Sequence, residues 1–241
     1  MIEKQSLHFN ETHQRFKDAD FYNPDLSIVI LGQGGIGSFL THVLCRQGYE
    51  MYLYDMDIVE VHNIGSQLYN LKHIGRNKAE VAVEYCKDFG NSRAISMGKF
   101  EEDSPIDNIV FACFDNMAGR KLAFEKWLEY QLSKTPEYRI ANPNEVNCFM
   151  DMRMSAESWQ VYLVKSKSDA ERYKETLFDD ADLPDLPCSY KATCQTGMGV
   201  SSYAASLFLN HVANKKLNID IRKTYFKSLY DASMLRFEQH V

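Results

Sequence analysis

The chain has 241 residues, about 1.6 times the length expected for one domain. Hydrophobic residues make up 45% of it and charged residues 25%, which is typical of globular proteins with a sizeable core. The formal net charge of −6 argues against non-specific nucleic-acid binding, because such binding needs a basic surface.

The sequence also restricts the compartment and the metal chemistry. No apolar run reaches the length of a membrane span, and the polar N-terminus lacks the apolar core of a secretory signal. The six cysteines include no Cys-x-x-Cys pair, so we expect no structural zinc. We therefore predict a cytoplasmic protein with reduced thiols and with neither a membrane nor a nucleic acid as partner.

In chain order, the first elements predict a βαβ unit. After a polar arm over residues 1–25, the β-branched run at 27–31 is typical of a strand buried on both faces. A glycine-rich turn at 32–37, a helix over 38–47 and a strand over 51–54 follow. Strands joined by a helix in this way pair in parallel, so a parallel sheet is expected.

The remaining elements continue this sheet and then change its character. A long polar connection over 56–76 has a length that is usually functional. The pattern next predicts a helix over 77–89, strands over 94–97 and 108–113, a helix from Asn116 to 132, and a short strand over 138–141. Beyond these it predicts mixed strands over 146–154 and 159–164, an irregular segment over 166–193, a helix over 198–217, and a terminal helix or strand–helix over 219–238. We expect an α/β fold with a Rossmann-like, mainly parallel sheet, helices on both faces, and a smaller mixed or antiparallel C-terminal extension of the sheet.

The glycine-rich turn has the spacing of a nucleotide-phosphate loop. Gly32, Gly34, Gly35 and Gly37 lie between a buried strand and a helix, where the backbone can approach phosphate and the helix N-terminus presents free N–H groups. A tight turn without a ligand is the alternative. Asp55 favours nucleotide binding, because an acid at the end of the second strand usually takes the ribose hydroxyls.

Further polar side chains distinguish ATP from NAD. Asp57, Asn63 and Gln67 precede Lys78, and Asp115 follows the fourth predicted strand. The carboxyl ends of parallel strands meet at one edge of the sheet, so these groups are expected together there. A lysine neutralises phosphate oxygens and an aspartate holds Mg²⁺, which suits a triphosphate. A dinucleotide site needs neither, and this disfavours an NAD-linked oxidoreductase.

Four stretches resemble the ThiF/MoeB/ubiquitin-activating enzyme superfamily: LGQGGIGS, YDMDIVEVHNIGSQLY, GRNKAEVA and ACFDNMAGRK. They fall in order within residues 27–125, and residues 188–212 resemble the family's cysteine-bearing crossover segment and following helix. The resemblance implies adenylation of a carboxylate, typically the C-terminus of a ubiquitin-like protein or peptide, with ATP and Mg²⁺, in a homodimer. Residues 150–157 and 173–178 resemble a subgroup of small ThiF-like proteins that phages or mobile elements often encode.

The resemblance also implies a role for each matching residue. Asp55 would hold the ribose, and Gly34 and Gly35 would face the phosphates. The residues implied to contact phosphates are Asn63, Gln67 and Lys78, and Asp115 is implied to bind Mg²⁺. Residues 26–142 would form the nucleotide-binding part, and 143–241 the substrate and dimer part with a crossover segment over 166–197, packed as one domain.

One position departs from the family. The usual run Asn-x-x-Arg-Gln is here Asn63-Ile-Gly-Ser66-Gln67, and serine cannot give the bidentate contact of a guanidinium to phosphate. Either another arginine substitutes, or activation is altered or lost. The candidates are Arg76, Arg153 and Arg15, the last because many family members take an arginine from the partner subunit's N-terminal arm.

Two cysteines are candidates for a reactive thiol. Cys188 and Cys194 lie on the crossover segment, with Lys191 between them to favour the thiolate. An inert thiol is the alternative for each. The other four, Cys45, Cys86, Cys113 and Cys148, are expected in the core.

Other functions stay open beside the adenylation of a protein or peptide C-terminus. One is a nucleotide-binding regulatory or scaffold protein that has lost activation, which Ser66 favours. Another is an adenylating enzyme for tRNA or a small molecule, and the acidic net charge weighs against tRNA.

Overall fold

The computed structural model describes residues 12–91, 93–179 and 192–241. These residues form an eight-stranded sheet in the order β3-β2-β1-β4-β5-β6-β7-β8. The strands are β1 Ser27–Leu31, β2 Glu50–Tyr54, β3 Ala94–Gly98, β4 Ile109–Ala112, β5 Cys148–Met154, β6 Ser158–Val164, β7 Lys227–Asp231 and β8 Arg236–His240. The helices are α1 Gly37–Leu44, α2 Lys78–Asp88, α3 Met117–Ser133, α4 Pro136–Ala141, α5 Lys167–Lys174 and α6 Cys194–Leu217.

The sheet has a parallel half and an antiparallel half. Strands β3, β2, β1, β4 and β5 pair in parallel. The pairs β5–β6, β6–β7 and β7–β8 are antiparallel. This confirms the predicted α/β fold with an antiparallel C-terminal extension. The chain order reverses between β1 and β4, and the crevice beyond the strand ends at such a point is where α/β folds bind ligands.

The core lies in two layers, one on each face of the sheet. On one face, Leu40 of α1, Ala82 of α2 and Phe208 of α6 pack on the central strands. On the other, Phe124 of α3 and Tyr173 of α5 do so. Because both faces are covered, β4 and all of β1 except its first residue, Ser27, are apolar, as the run at 27–31 predicted.

The short strand predicted at 138–141 is wrong. These residues belong to helix α4, where Pro136 takes the first helical position and the side chain of Thr135 accepts a hydrogen bond from the Tyr138 N–H at 3.2 Å. Proline suits the first turn of a helix because its missing N–H would have no partner there. The fifth parallel strand is therefore β5, which the sequence placed in the mixed part.

The predicted terminal helix within 219–238 is also wrong, because β7 and β8 form a hairpin. The Asp231 carboxylate accepts hydrogen bonds from the Ser233 and Met234 N–H groups at 2.9 and 3.2 Å. Leu235 follows with a positive φ of 49°, which turns the chain back.

The segment predicted to be irregular over 166–193 contains helix α5, which Ser166 caps through the Asp169 N–H at 3.1 Å. Helix α6 begins at Cys194, four residues before the predicted start. The remainder of the crossover, including Cys188, and most of the first half of the N-terminal arm lie outside the described residues. Within the part of the chain that is described, no helix is both long and apolar enough to cross a membrane.

Gly37 offers a test of the strand–helix turn. A Cβ placed there would overlap the carbonyl oxygen of Gly32, so we expect Gly37→Ala to lower the free energy of unfolding by about 1–3 kcal/mol or more. Gly65→Ala is the matched control, because a Cβ there meets nothing within 4 Å, and its effect should stay within about 0.5 kcal/mol. Urea denaturation followed by circular dichroism measures both, and equal stabilities would contradict the proposed backbone contact.

Candidate functional site

The four glycines of the loop between β1 and α1 have different surroundings. Gly32 has a φ of +90°, a conformation that glycine adopts without strain, and Gly37 packs on its carbonyl. A Cβ on Gly35 would overlap the terminal methyl of Met154. A Cβ on Gly34 would meet only the Gln67 Nε2 atom, at 4.0 Å. Gly34 therefore presents the open side of the loop, where a phosphate has room.

Helix α6 supports this loop from behind. A Cβ on Gly197 would overlap the carbonyl oxygen of Gly35, and the Ser201 hydroxyl donates to the Ile36 carbonyl at 3.0 Å. Within the loop, the Ser38 hydroxyl donates to the Gly34 carbonyl at 2.7 Å. The loop conformation is thus held by the C-terminal half of the chain as well as by α1.

Asp55 closes the loop on the β2 side. Its Oδ2 accepts a hydrogen bond from the Gln33 N–H at 2.6 Å, and its Oδ1 accepts one from the Asp57 N–H at 2.8 Å. Burial raises the pKa of this carboxyl, and these two N–H groups and the charge of Lys78 oppose the rise only in part. Each oxygen keeps a second lone pair, so the carboxylate can still accept a hydroxyl proton.

Lys78 opens helix α2 beside Asp55 and is 7% exposed. Its Nζ lies 3.0 Å from the Asp57 carboxylate, which is itself exposed. Asn77 caps the same helix, and its side-chain amide donates to the Asp55 and Asp57 carbonyls at 3.0 and 3.2 Å. The structure therefore brings Asp55, Asp57 and Lys78 together, as the sequence predicted.

The long connection after β2 covers the loop. Tyr69 donates to the Gln33 carbonyl at 2.6 Å and fixes the connection to the loop. The carbonyl oxygen of Ser66 lies 3.8 Å from a Cβ placed on Gly35, so position 66 borders the loop. The Gln67 side-chain oxygen is buried without a hydrogen-bond partner in the described residues. An unsatisfied amide beside Gly34 fits a site that takes a polar ligand.

Asn63 begins the turn that leads to Ser66 and Gln67. It is buried, and its side-chain oxygen accepts a hydrogen bond from the Glu60 N–H at 2.9 Å. Its carbonyl accepts the N–H groups of Ser66 and Gln67 at 3.1 and 2.9 Å. Asn63 thus shapes the turn that carries Ser66 and Gln67.

Asp115 lies on the other side of the loop, because β4 neighbours β1. Its carboxylate is exposed, and its Oδ1 accepts a hydrogen bond from the Asn116 amide at 3.1 Å. Asn116 caps α3 through the Gly119 N–H at 2.7 Å, as predicted. The described residues contain no group of three or more His, Cys, Asp or Glu side chains placed to hold a metal. A Mg²⁺ ion at Asp115 would instead complete its oxygen shell with phosphates and water, which is how this ion is usually bound.

The arginines proposed to replace the one missing at Ser66 have other partners or lie outside the loop. Arg76 pairs with Glu84 on the surface of α2. Arg153 donates to Asp151 at 2.6 Å and to the Thr176 carbonyl at 3.1 Å. Arg15 lies exposed on the N-terminal arm.

Cys194 lies half-buried in the first turn of α6, with its Sγ 3.8 Å from the Met198 sulfur. The same stretch of chain reaches the loop, because Ala192 Cβ would lie 3.5 Å from a Cβ on Gly35. Four other cysteines are buried, as predicted: Cys45, Cys86, Cys113 and Cys148. Burial raises the pKa of the Cys113 and Cys148 thiols, which keeps them protonated.

The sequence reading missed several residues that shape this site. Gly197 and Tyr69 contact the loop from distant parts of the chain. Both lie in stretches that resemble the family, at 188–212 and 54–69, but the sequence pointed to neither residue. Met154 ends β5 and covers Gly35. Met154 lies in the stretch 150–157, whose resemblance to small ThiF-like proteins singled out no functional residue. Only the contact with Gly35 in the folded structure shows that it belongs to the site.

Two comparisons at the level of sequence bear on the chain. Residues 24–135 match the ThiF family. The ubiquitin-like modifier-activating enzyme 5 of Dictyostelium discoideum is 26% identical over a match of 156 residues, and the match covers 52% of this chain and 41% of that protein. The matched part therefore spans about two fifths of the relative.

Solved structures share the fold over most of the chain. The structure of E. coli MccB with ATP is 14% identical, covers 92% of this chain and 64% of that chain, and has a TM-score of 0.59. E. coli tRNA N6-threonylcarbamoyladenosine dehydratase, TcdA, is 18% identical, covers 87% and 95%, and has a TM-score of 0.59. At these identities the likeness shows the fold alone.

The exposure of Cys194 gives a test that needs no substrate. In a Cys188→Ser background we expect iodoacetamide to alkylate Cys194 first, because the four buried thiols react only when the structure opens. Peptide mass spectrometry over time identifies the modified residue. Cys194→Ser in the same background should remove the fast phase, and a fast phase that survives it would contradict the described exposure.

Proposed function

We propose that this chain, which carries a ThiF family domain over residues 24–135, is an ATP- and Mg²⁺-dependent adenylyltransferase that activates a carboxylate. The observation that carries the proposal is the arrangement around Gly34. The open side of the glycine loop is flanked by the anchored Asp55, the nearly buried Lys78 and the exposed Asp115. A ribose acceptor, a phosphate-neutralising cation and a hard metal ligand are the groups that a nucleoside triphosphate requires.

The chain's residues have distinct parts in the proposed reaction. Asp55 accepts the ribose hydroxyls, and the Gly34 backbone faces the phosphates. Lys78 moves from Asp57 to the phosphate oxygens, and Gln67 supports them with its amide. Bound Mg²⁺ would neutralise phosphate charge at Asp115. A carboxylate oxygen of the substrate attacks the α-phosphorus, and the bond to pyrophosphate breaks with the electron pair leaving on pyrophosphate. Positioning and charge neutralisation supply most of the rate in such a step.

For the substrate we propose the C-terminal carboxylate of a ubiquitin-like protein or peptide. The Dictyostelium relative, a ubiquitin-like modifier-activating enzyme 5, supports this class, although the match spans only 41% of that protein. In the proposed second step, the thiolate of Cys194, or of Cys188 beyond the described residues, attacks the carbonyl carbon of the acyl-adenylate. A thioester forms, and the bond to AMP breaks with the electron pair leaving on AMP. The half-buried Cys194 lies on the helix whose first turn packs on the loop, which favours it.

We further propose that the active form is a homodimer, in which Arg15 of a second copy supplies the guanidinium missing at Ser66. Arg76 and Arg153 are tied to Glu84 and Asp151, whereas Arg15 lies exposed on an arm.

A second candidate is a nucleotide-binding scaffold that has lost activation, and the serine that borders the loop at position 66 favours it. A tRNA-directed enzyme is a weaker candidate. The likeness to TcdA extends to the fold alone, and the net charge of −6 disfavours a long phosphate backbone.

The nucleotide preference separates adenylation from redox chemistry. We expect ATP with Mg²⁺ to raise the melting temperature more than the same concentration of NAD, because Lys78 and Asp115 suit a triphosphate with its metal. A ligand at 100 times its Kd adds about 2.7 kcal/mol to the free energy of unfolding. Differential scanning fluorimetry measures both. Asp115→Ala should lose the part of the ATP shift that depends on Mg²⁺ and keep the rest. A larger shift with NAD would overturn the ATP proposal.

The arm contact has its own test. Arg15→Ala should weaken binding of Mg²⁺–ATP about 10-fold or more, because a charge-assisted hydrogen bond contributes about 1.5–3 kcal/mol. Ser66→Arg in the same chain should restore the affinity, since position 66 borders the loop. Lys17→Ala removes a neighbouring exposed charge from the same arm and is the control. Calorimetry gives the affinities. If Arg15→Ala binds Mg²⁺–ATP as tightly as the wild type, the arm does not contribute to the site.

A further inference from the structure

A buried ion cluster lies beneath the turn that carries Asp115. Asp151 of β5 is fully buried, and its carboxylate accepts hydrogen bonds from two arginines and a tyrosine. Arg120 of α3 forms an ion pair with its Oδ1. Its Oδ2 accepts Arg153 Nε at 2.6 Å and the Tyr173 hydroxyl at 2.9 Å. The cluster joins β5 to α3 and α5 at the carboxyl edge of the sheet.

The two arginines extend from Asp151 in different directions. Arg120 donates to the carbonyl of Phe114, the residue before Asp115, and to the Met152 carbonyl at 2.9 Å. Arg153 donates to the carbonyl and hydroxyl of Thr176, at 3.1 and 3.2 Å. One guanidinium therefore reaches the turn of the candidate metal ligand, and the other reaches the chain after α5.

The turn itself is tightly built. Asn116 holds one Asp115 oxygen at 3.1 Å and caps α3 through the Gly119 N–H. A Cβ on Gly119 would lie 3.0 Å from the Phe114 ring and 3.1 Å from the Asn116 side-chain oxygen. The second Asp115 oxygen has no hydrogen-bond partner among the described residues. The carboxylate is thus oriented by one oxygen, and the other is available to a ligand.

A buried ion cluster is an expensive way to gain stability. Taking two guanidinium groups and a carboxylate out of water costs several kcal/mol per ion, and well-packed apolar side chains often do as well. The carbonyls of Phe114, Met152 and Thr176 complete the hydrogen bonding of this cluster. What apolar residues could not do is hold the Phe114 carbonyl in a set direction.

We propose that Arg120, anchored by Asp151, is a positioning residue that sets the Asp115 carboxylate for Mg²⁺. This inference rests on the proposed function, because it takes Asp115 as the metal ligand. Arg120 touches neither nucleotide nor metal and acts through the Phe114 carbonyl. Partners that orient a metal ligand in this way typically contribute about 10–100-fold to metal affinity.

The test compares two substitutions on the same carboxylate. Arg120→Lys keeps a positive charge near Asp151, but a single ammonium lacks the fork that reaches both Asp151 and Phe114. Arg153→Lys perturbs the same cluster on the side of Thr176 and is the matched control. Calorimetry gives the ATP affinity of each variant without metal and across a Mg²⁺ titration. We expect Arg120→Lys to weaken the apparent Mg²⁺ affinity about 10-fold or more and to leave metal-free ATP binding unchanged, with Arg153→Lys unaffected in both.

Several outcomes would overturn the inference. One is an unchanged Mg²⁺ affinity in Arg120→Lys, and another is an equal loss in both variants, which would indicate general damage to the cluster. Should Arg120→Lys not fold, Asp151→Asn keeps the side-chain shape, loosens Arg120 and should show the same selective loss. Failure of both to fold would make the cluster a requirement of folding and would also overturn the inference.

The wild-type chain separates this inference from the proposed function. If it binds no ATP at all, the proposed function fails and the inference fails with it. If it binds ATP and gains affinity from Mg²⁺, the proposed site stands, and only the variants decide the part of Arg120.

Discussion

The contact on which the rest of the structure depends is backbone against backbone at the head of the sheet. Gly37 packs on the carbonyl of Gly32, and Gly197 packs on the carbonyl of Gly35. No side chain fits in either place, so helices α1 and α6 approach the loop more closely than side-chain packing would allow. The Ser201–Ile36 hydrogen bond joins positions that are 165 residues apart along the chain. The loop conformation therefore depends on contacts from both α1, in the N-terminal half, and α6, in the C-terminal half.

Around this loop the charges are arranged in pairs that a ligand would have to rearrange. Lys78 is nearly buried and satisfied by Asp57, whereas Asp57 itself is exposed. A phosphate can replace Asp57 as the partner of Lys78 without leaving a buried charge unpaired, because water can take over the exposed carboxylate. Asp151 is the opposite case, since it is fully buried and holds two arginines. Lys78 can therefore change its partner when a ligand binds, whereas the arginines on Asp151 stay in place.

The sequence predicted the parts of the molecule whose signals are local. The apolar run at 27–31, the glycine spacing and the Asn116 cap each depend on a few neighbouring residues, and the structure confirms the strand, the turn and the cap. The resemblance to the ThiF superfamily is likewise confirmed. The strand predicted at 138–141 failed because Thr135 and Pro136 start a helix, a signal that lies just outside the apolar stretch. The contacts of Arg120 with Phe114 and of Gly197 with Gly35 could not be predicted, because each joins elements whose proximity only the folded sheet creates.

The first turn of α6 carries both Cys194 and Gly197, so the thiol lies close to the residue that packs on the loop. The thiol and the residue that packs on the loop are three positions apart in one helix, so their separation along the helix axis is about 4.5 Å. A shift of this first turn would therefore move the Cys194 backbone and the loop support together. A chemical change at this thiol that shifts the first turn of α6 would therefore also reach the carbonyl of Gly35.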